Sequence, residues 1–161
     1  MKHLIIIIFA VLFCSSVFAQ EKAPKFLNIE LAGNAKHLLI NYDSRFTPGI
    51  GGLGFRAGIG GTWSYYSRDK VSLNVPIGLN YLLGNKQHFA EMGLVAIPEY
   101  YFGTSSKNIF FSTNANLGYR YVSKSGIMLN ALWTPQLTKD KNASGFKNKN
   151  IWFGIGAGIK L

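Results

Sequence analysis

The last eleven residues of the chain alternate between apolar side chains and side chains that are mostly small or polar. The odd positions hold Ile151, Phe153, Ile155, Ala157, Ile159 and Leu161, and the even positions hold Trp152, three glycines and Lys160. Successive side chains of a β-strand point to opposite faces, so a period of two predicts a strand with one apolar face. The same alternation recurs over 71–83 and 111–121. No segment after Lys25 combines a capping residue, a 3.6-residue period and a closing glycine, as a helix would.

Turn-forming segments divide the chain into about eight such runs, which predicts an all-β fold of eight antiparallel strands. The turns fall at 34–36, 47–52, 67–70, 84–86, 104–108, 123–126 and 138–150. An up-and-down order puts both chain ends at one end of a transmembrane barrel and the longest connection at the other. The strand from 87 to 102 has an open register, because Met92, Leu94 and Ala96 compete with Val95 and Ile97 for the apolar face.

The first nineteen residues read as a cleavable export signal. Lys2 precedes an apolar run over 4–13, and Ala19 ends a small-residue cleavage site, so we expect a signal peptide at 1–19 and one barrel domain at 20–161. The apolar run is shorter than the roughly 20 residues of a spanning helix. The single cysteine, Cys14, leaves with the signal. A net charge of +10 predicts an anionic neighbour, and export favours a membrane surface over nucleic acid.

The residues on the face opposite the apolar one indicate which face of the strands lines the barrel interior. Its charged members are Glu30, Asp43, Arg45, Arg56, Glu91, Arg120 and Lys160, with glycines between them. A water-soluble barrel that binds an apolar ligand would turn the apolar face inward. Glycines between long charged side chains instead suit the narrow interior of an eight-stranded barrel, where acids and bases pair. We therefore predict apolar residues against lipid and a lumen plugged by paired charges, too narrow for a general diffusion porin.

Aromatic residues form two predicted belts, as they do where membrane barrels meet water. Near the outer ends of the strands lie Trp63, Tyr65, Phe111, Trp133 and Phe153. Near the inner ends lie Phe46, Tyr81 and Tyr121. Two belts from a single register support the proposed threading.

Four segments carry a family resemblance. They are Ala-Gly-Asn at 32–34, Gly-Phe-Arg-Ala-Gly-Ile-Gly at 54–60, Val-Pro-Ile-Gly-Leu-Asn-Tyr-Leu-Leu-Gly at 75–84 and Leu-Gly-Tyr-Arg-Tyr at 117–121. With the exported start and the eight runs, the chain resembles small outer-membrane β-barrel proteins of Gram-negative bacteria. The resemblance implies an outer-membrane location and a last strand that the barrel-assembly machinery reads through Gly156, Ile159 and Leu161. Leu161 departs from the pattern, because an aromatic residue is usual there.

Enzymes occur among such barrels, notably a lipid A deacylase whose catalytic His and Ser are two residues apart. Here Leu39 follows His37 at that spacing and Ala90 follows His88. His88 and Glu91 are three residues apart, which places them on opposite strand faces. With no cysteine after the signal and two separated histidines, we predict no catalytic site, no metal site and no cofactor.

Lysines crowd the longest predicted outer loop, at Lys139, Lys141, Lys147 and Lys149. They are candidates for contact with lipopolysaccharide phosphates, and a solvated loop explains them equally well. The leading hypothesis is a monomeric, non-enzymatic outer-membrane barrel that supports envelope integrity or presents its outer loops for adhesion or ligand contact. The alternatives are a lipid A-modifying enzyme with an atypical site and a secreted soluble barrel that binds an apolar ligand.

Overall fold

The computed structural model describes residues 23–62, 71–102, 109–138 and 153–161. These residues form eight strands: β1 (Lys25–Ala32), β2 (Leu38–Arg45), β3 (Gly52–Thr62), β4 in two segments (Val71–Asn74 and Ile77–Asn85), β5 (His88–Phe102), β6 (Ile109–Val122), β7 (Ile127–Trp133) and β8 (Phe153–Lys160). A single 3-10 turn, Gly33–Ala35, links β1 to β2. No helix in the described residues is long and apolar enough to cross a bilayer. The predicted signal peptide lies outside this range.

The two segments of β4 behave as one strand. Asn74 pairs with Gly60 and Ile77 with Ala57, so the register against β3 runs unbroken across the gap. Pro76 has no N–H to donate, but its carbonyl accepts a bond from the Gly58 N–H at 2.9 Å. The break between the two segments therefore reflects the missing N–H of Pro76 and not a shift in register.

The strands close into an antiparallel barrel. Each strand pairs with its sequence neighbours, and β8 pairs with β1, where Phe26 lies opposite Lys160. At one end, called the near end, the Leu161 N–H donates to the Lys25 carbonyl at 2.9 Å. The near end also carries the connections at 46–51, 86–87 and 123–126, and the other end is called the far end. The predicted eight-stranded up-and-down barrel is confirmed.

The outer wall is apolar. On β4, Ile77 and Leu83 are 54% and 59% exposed, while the alternate residues Gly78, Asn80 and Leu82 face inward. The buried polar and charged side chains come from the opposite face of the strands. A water-soluble protein would bury the apolar face instead, so the barrel is inside out relative to a soluble one. This contradicts the alternative of a soluble barrel with an apolar interior.

The open register of β5 is resolved in favour of Met92, Leu94 and Ala96 as the outward residues. Val95 and Ile97 point inward and are buried. Gly78, the partner of Val95 on β4, explains this arrangement: a Cβ at Gly78 would lie 2.8 Å from the Val95 side chain. The inward valine therefore occupies space that the glycine leaves free.

The aromatic side chains follow the two predicted belts where the structure describes them. Phe111, Trp133 and Phe153 are exposed near the far end, and Phe46 and Tyr81 are exposed near the near end. Trp63 and Tyr65 lie outside the described residues.

Candidate functional site

The near end of the lumen is filled by apolar side chains. Buried there are Phe26, Leu82, Phe89, Val122 and Met128, with the partly buried Ile50 packed against them. Each of the five sits at an inward position of its strand. This layer was not predicted from the sequence, because an apolar side chain at an inward position resembles an outward one until the strand register is known. The layer seals one end of the lumen by packing.

On the far-end side of this layer, Arg120 connects strands across the lumen. Its Nη2 donates to Asp43 Oδ2 and to Glu91 Oε1, both at 2.9 Å, and its Nε donates to Glu91 Oε2 at 2.9 Å. Arg120 comes from β6, Asp43 from β2 and Glu91 from β5. The planar guanidinium holds Glu91 with two donors, which is the strong bidentate geometry of such pairs.

Arg56 of β3 links the same carboxylates from another side. Its Nη2 lies 2.8 Å from Glu91 Oε1, and its Nε lies 3.3 Å from Asp43 Oδ2. Its Nη1 lies 3.7 Å from Glu30 Oε2, which connects β1 to the cluster. Glu30 also accepts a bond from the Asn34 backbone N–H at 3.2 Å.

Arg45 completes the cluster on β2. Its Nη2 lies 2.9 Å from Asp43 Oδ1, and its Nη1 donates to the Gly52 carbonyl at 3.1 Å. Arg45 also donates to the Asn80 side-chain carbonyl, and the Asn80 amide donates to Asp43 Oδ2 at 2.7 Å. Gly54 is required here, because any Cβ on it would collide with the Arg45 guanidinium.

The resulting lumen network consists of Glu30, Asp43, Arg45, Arg56, Glu91 and Arg120. Three arginines face three carboxylates, so the network carries no net charge, and all six residues are at most 3% exposed. Burying so many charges is costly unless each is paired and hydrogen-bonded, as most of these are. The network spans five strands and crosses the interior of the barrel. Its side chains occupy the middle of the described lumen, and this is the clearest structural consequence of the network.

Lys160 was predicted to join this network, and that prediction is wrong. It occupies an inward position of β8, but its side chain is exposed and forms no ion pair with a described residue. Its partner across the β8–β1 pair is Phe26, a member of the apolar layer. Lys160 therefore lies at the near rim, with the apolar layer between it and the network.

A second polar cluster lies at the far end and was not predicted. Lys36 Nζ lies 3.2 Å from Glu99 Oε1, and the Ser72 hydroxyl donates to the same oxygen at 2.9 Å. Asn74 donates to Thr62 at 3.0 Å beside them. The cavity at this mouth has a volume of about 10 Å³, no more than a single water molecule requires. The sequence places Lys36 in a turn, and it leaves open the register of the strand that carries Glu99.

The histidine on β5 faces away from the lumen. His88 is exposed near the near end, its Nδ1 is hydrogen-bonded to the Tyr119 hydroxyl, and its ring lies 5.3 Å from that of Tyr121. Glu91 points inward, as the spacing of three predicts. Among the described residues, no group of three or more His, Cys, Asp or Glu side chains is placed to hold a metal.

The remaining predicted residues fall into two sets. Ile159 and Leu161 are exposed on the outer wall, while Gly156 lies on the inner face of β8, where a Cβ would collide with the Asn130 amide. The loop lysines lie outside the described residues: Lys139, Lys141, Lys147 and Lys149.

No protein-family model and no curated protein matches the chain. A solved structure does: the crystal structure of the N-terminal beta-barrel domain of Pseudomonas aeruginosa OprF has a TM-score of 0.53 to this chain. The two are 14% identical, and the match covers 88% of this chain and 98% of that one. This likeness shows the fold alone, and it covers nearly the whole of both barrels.

Proposed function

We propose that this chain is an outer-membrane β-barrel with a closed lumen and a structural role. It supports envelope integrity or presents its outer loops for adhesion or ligand contact, and it neither conducts solutes nor catalyses a reaction. The observation that carries the proposal is the neutral, buried lumen network. A channel needs an open polar path, whereas here arginines and carboxylates occupy the interior and bind each other.

The outer-membrane location is supported by the direction of the strands. An apolar wall of exposed side chains suits hydrocarbon, and a closed barrel satisfies every strand edge, as membrane-spanning strands must. The chain begins with a segment that has the features of a cleavable signal ending near Ala19. In this account the barrel-assembly machinery inserts a monomer, reading Gly156, Ile159 and Leu161 in the last strand.

The far end then faces outward, since short turns of such barrels lie in the periplasm. The loop containing Lys139, Lys141, Lys147 and Lys149 would meet lipopolysaccharide phosphates there. Charge attraction of about 1 kcal/mol per lysine is available near such an anionic surface.

The location is tested by fractionating cells that express the full chain and running the membrane fraction on a gel with and without boiling. We expect the protein with the outer membranes and a faster band before boiling, which reports a folded barrel. Recovery in the soluble fraction without a heat-dependent shift would overturn the location.

The role is tested in a deletion strain. We expect increased sensitivity to detergents and large antibiotics, unchanged lipid A, and equal rescue by the wild type and by His88→Ala. A lipid A change that the wild type restores and His88→Ala does not would favour a lipid-modifying enzyme instead.

A further inference from the structure

Among the described residues, four lysines without an ion-pair partner lie at the near rim of the barrel. Lys25, Lys86, Lys124 and Lys160 all lie there with exposed side chains. None of the four forms an ion pair with a described residue. All four acidic residues in the described segments, Glu30, Asp43, Glu91 and Glu99, are buried in the lumen. The rim therefore presents four cations without a described Asp or Glu side chain beside them.

The lysines form an arc and not a full ring. Lys86 lies in the turn between β4 and β5, Lys124 in the turn between β6 and β7, Lys160 at the end of β8 and Lys25 at the start of β1. These elements follow one another around the barrel. A Cβ at Gly126 would lie 3.1 Å from the Lys160 Cβ, so the β6–β7 turn contacts β8 directly. The remaining turn, at 46–51, has no charged residue.

The arc lies at the edge of the apolar wall. Lys25 begins the outward face of β1, which continues with the exposed Leu27, and Lys124 lies just beyond Tyr121. The cluster of His88, Tyr119 and Tyr121 marks this level as the water interface, where aromatic and basic side chains meet lipid headgroups.

We propose that this lysine arc binds the phosphates of anionic phospholipid headgroups in the leaflet at the near end. The lumen charges balance internally, so nothing inside the barrel competes for these ammonium groups. The lysines are spread along the circumference and do not converge on a pocket. This spacing fits several lipids standing side by side around the wall better than a single polyanionic ligand.

The inference rests on the proposed membrane location, so the first step is flotation of the refolded full barrel with vesicles. Spin-labelled phosphatidylglycerol and phosphatidylcholine are then compared for the fraction immobilised by the protein. One lysine favours the anionic lipid beside it about fivefold. Because the arc covers only part of the rim, we expect about a twofold preference for phosphatidylglycerol averaged over all contacting lipids. Addition of 0.5 M salt, which screens exposed charges, should reduce it.

Two combined variants test whether the lysine charges cause the lipid preference. The combined variant K25Q, K86Q, K124Q and K160Q should lose the preference, and the matched variant with arginine at all four positions should keep it. If the glutamine combination does not fold, the single variants Lys25→Gln and Lys124→Gln should each reduce the preference. A protein that floats with vesicles but shows no preference, or glutamine variants that keep it in full, would overturn the inference while leaving the location intact. Lysine-dependent sedimentation with cell-wall sacculi in place of any lipid preference would also overturn it.

Discussion

Asp43 and Arg120 meet at 2.9 Å in the middle of the barrel, although their strands β2 and β6 lie on opposite sides of it. Four strand-to-strand steps separate them in either direction around the wall. Neither side chain is exposed. The pair therefore acts as a brace across the lumen, and the rest of the network is built around it.

Removal of the Arg120 guanidinium should lower the free energy of unfolding substantially. Arg120→Met leaves Asp43 and Glu91 buried without the arginine that binds both of them at 2.9 Å, and breaking a buried pair costs about 3–5 kcal/mol. Urea unfolding of the refolded barrel in vesicles measures the loss. A loss below about 1 kcal/mol would contradict the brace.

The two ends of the brace should be energetically coupled. Asp43→Asn and Arg120→Met remove groups that interact directly, so the double variant should lose less stability than the two single losses added together. A coupling energy of about 0.5–3 kcal/mol is expected for residues in contact. The same unfolding assay on all four proteins gives this value, and strict additivity would show that the two residues act independently.

The ion pair at the far mouth should matter much less. Lys36 is 26% exposed and bonds Glu99 beside solvent, and exposed pairs contribute about 0–1 kcal/mol. Lys36→Gln should therefore change the free energy of unfolding by no more than about 1 kcal/mol. A loss as large as that of Arg120→Met would mean that the mouth, and not the lumen network, carries the stability.

Gly33 should not tolerate a side chain. Its φ is +63°, and a Cβ there would collide with the Glu30 carboxylate and lie 3.2 Å from the Gly154 Cα. We expect Gly33→Ala to lose about 1–2 kcal/mol from the left-handed backbone and about 1–3 kcal/mol from crowding. Gly49→Ala is the matched control, because its Cβ would meet only the Gly51 nitrogen at 4.0 Å. Comparable folded fractions for both variants on unboiled gels would contradict this reading.

A lysine on the outer wall should destabilise the barrel more when it lies deeper in the membrane. Ile29 lies midway along β1 and is 51% exposed, so Ile29→Lys places an ammonium group in hydrocarbon at a cost of about 2–4 kcal/mol. Ile127→Lys, at the near end of β7, should cost about 0–1 kcal/mol. Unfolding from vesicles compares the two. Equal stability for both variants is the result expected of a water-soluble barrel.

Much of the fold was predictable because most strands alternate between apolar and polar or small residues. The alternate positions along a strand share one face, so residues such as Ile77 and Ile155 can be assigned to the outer wall from the sequence alone. The turns are predicted by short polar segments. Parity could not settle β5, where Val95 and Ile97 are apolar but face inward. That choice depends on the space left by Gly78 on a neighbouring strand, which only the register reveals.

The members of the lumen network were largely predictable, but their partners were not. Parity identifies Asp43 and Arg120 as inward residues, whereas their meeting depends on how far each strand is staggered around the barrel. Lys160 also occupies an inward position, but the stagger of β8 places it at the near rim and outside the network. The apolar layer around Phe89 escaped prediction because an inward apolar residue resembles an outward one until the register is known.

The closed lumen is tested most directly by single-channel recording of the refolded wild-type barrel in a planar bilayer. The account predicts no sustained conductance steps above the bare bilayer, because the network occupies the lumen and the apolar layer seals its near end. The double variant with alanine at Asp43 and Arg120 serves as the positive control and should show intermittent openings. Stable, ohmic channels from the wild-type protein would contradict the central claim.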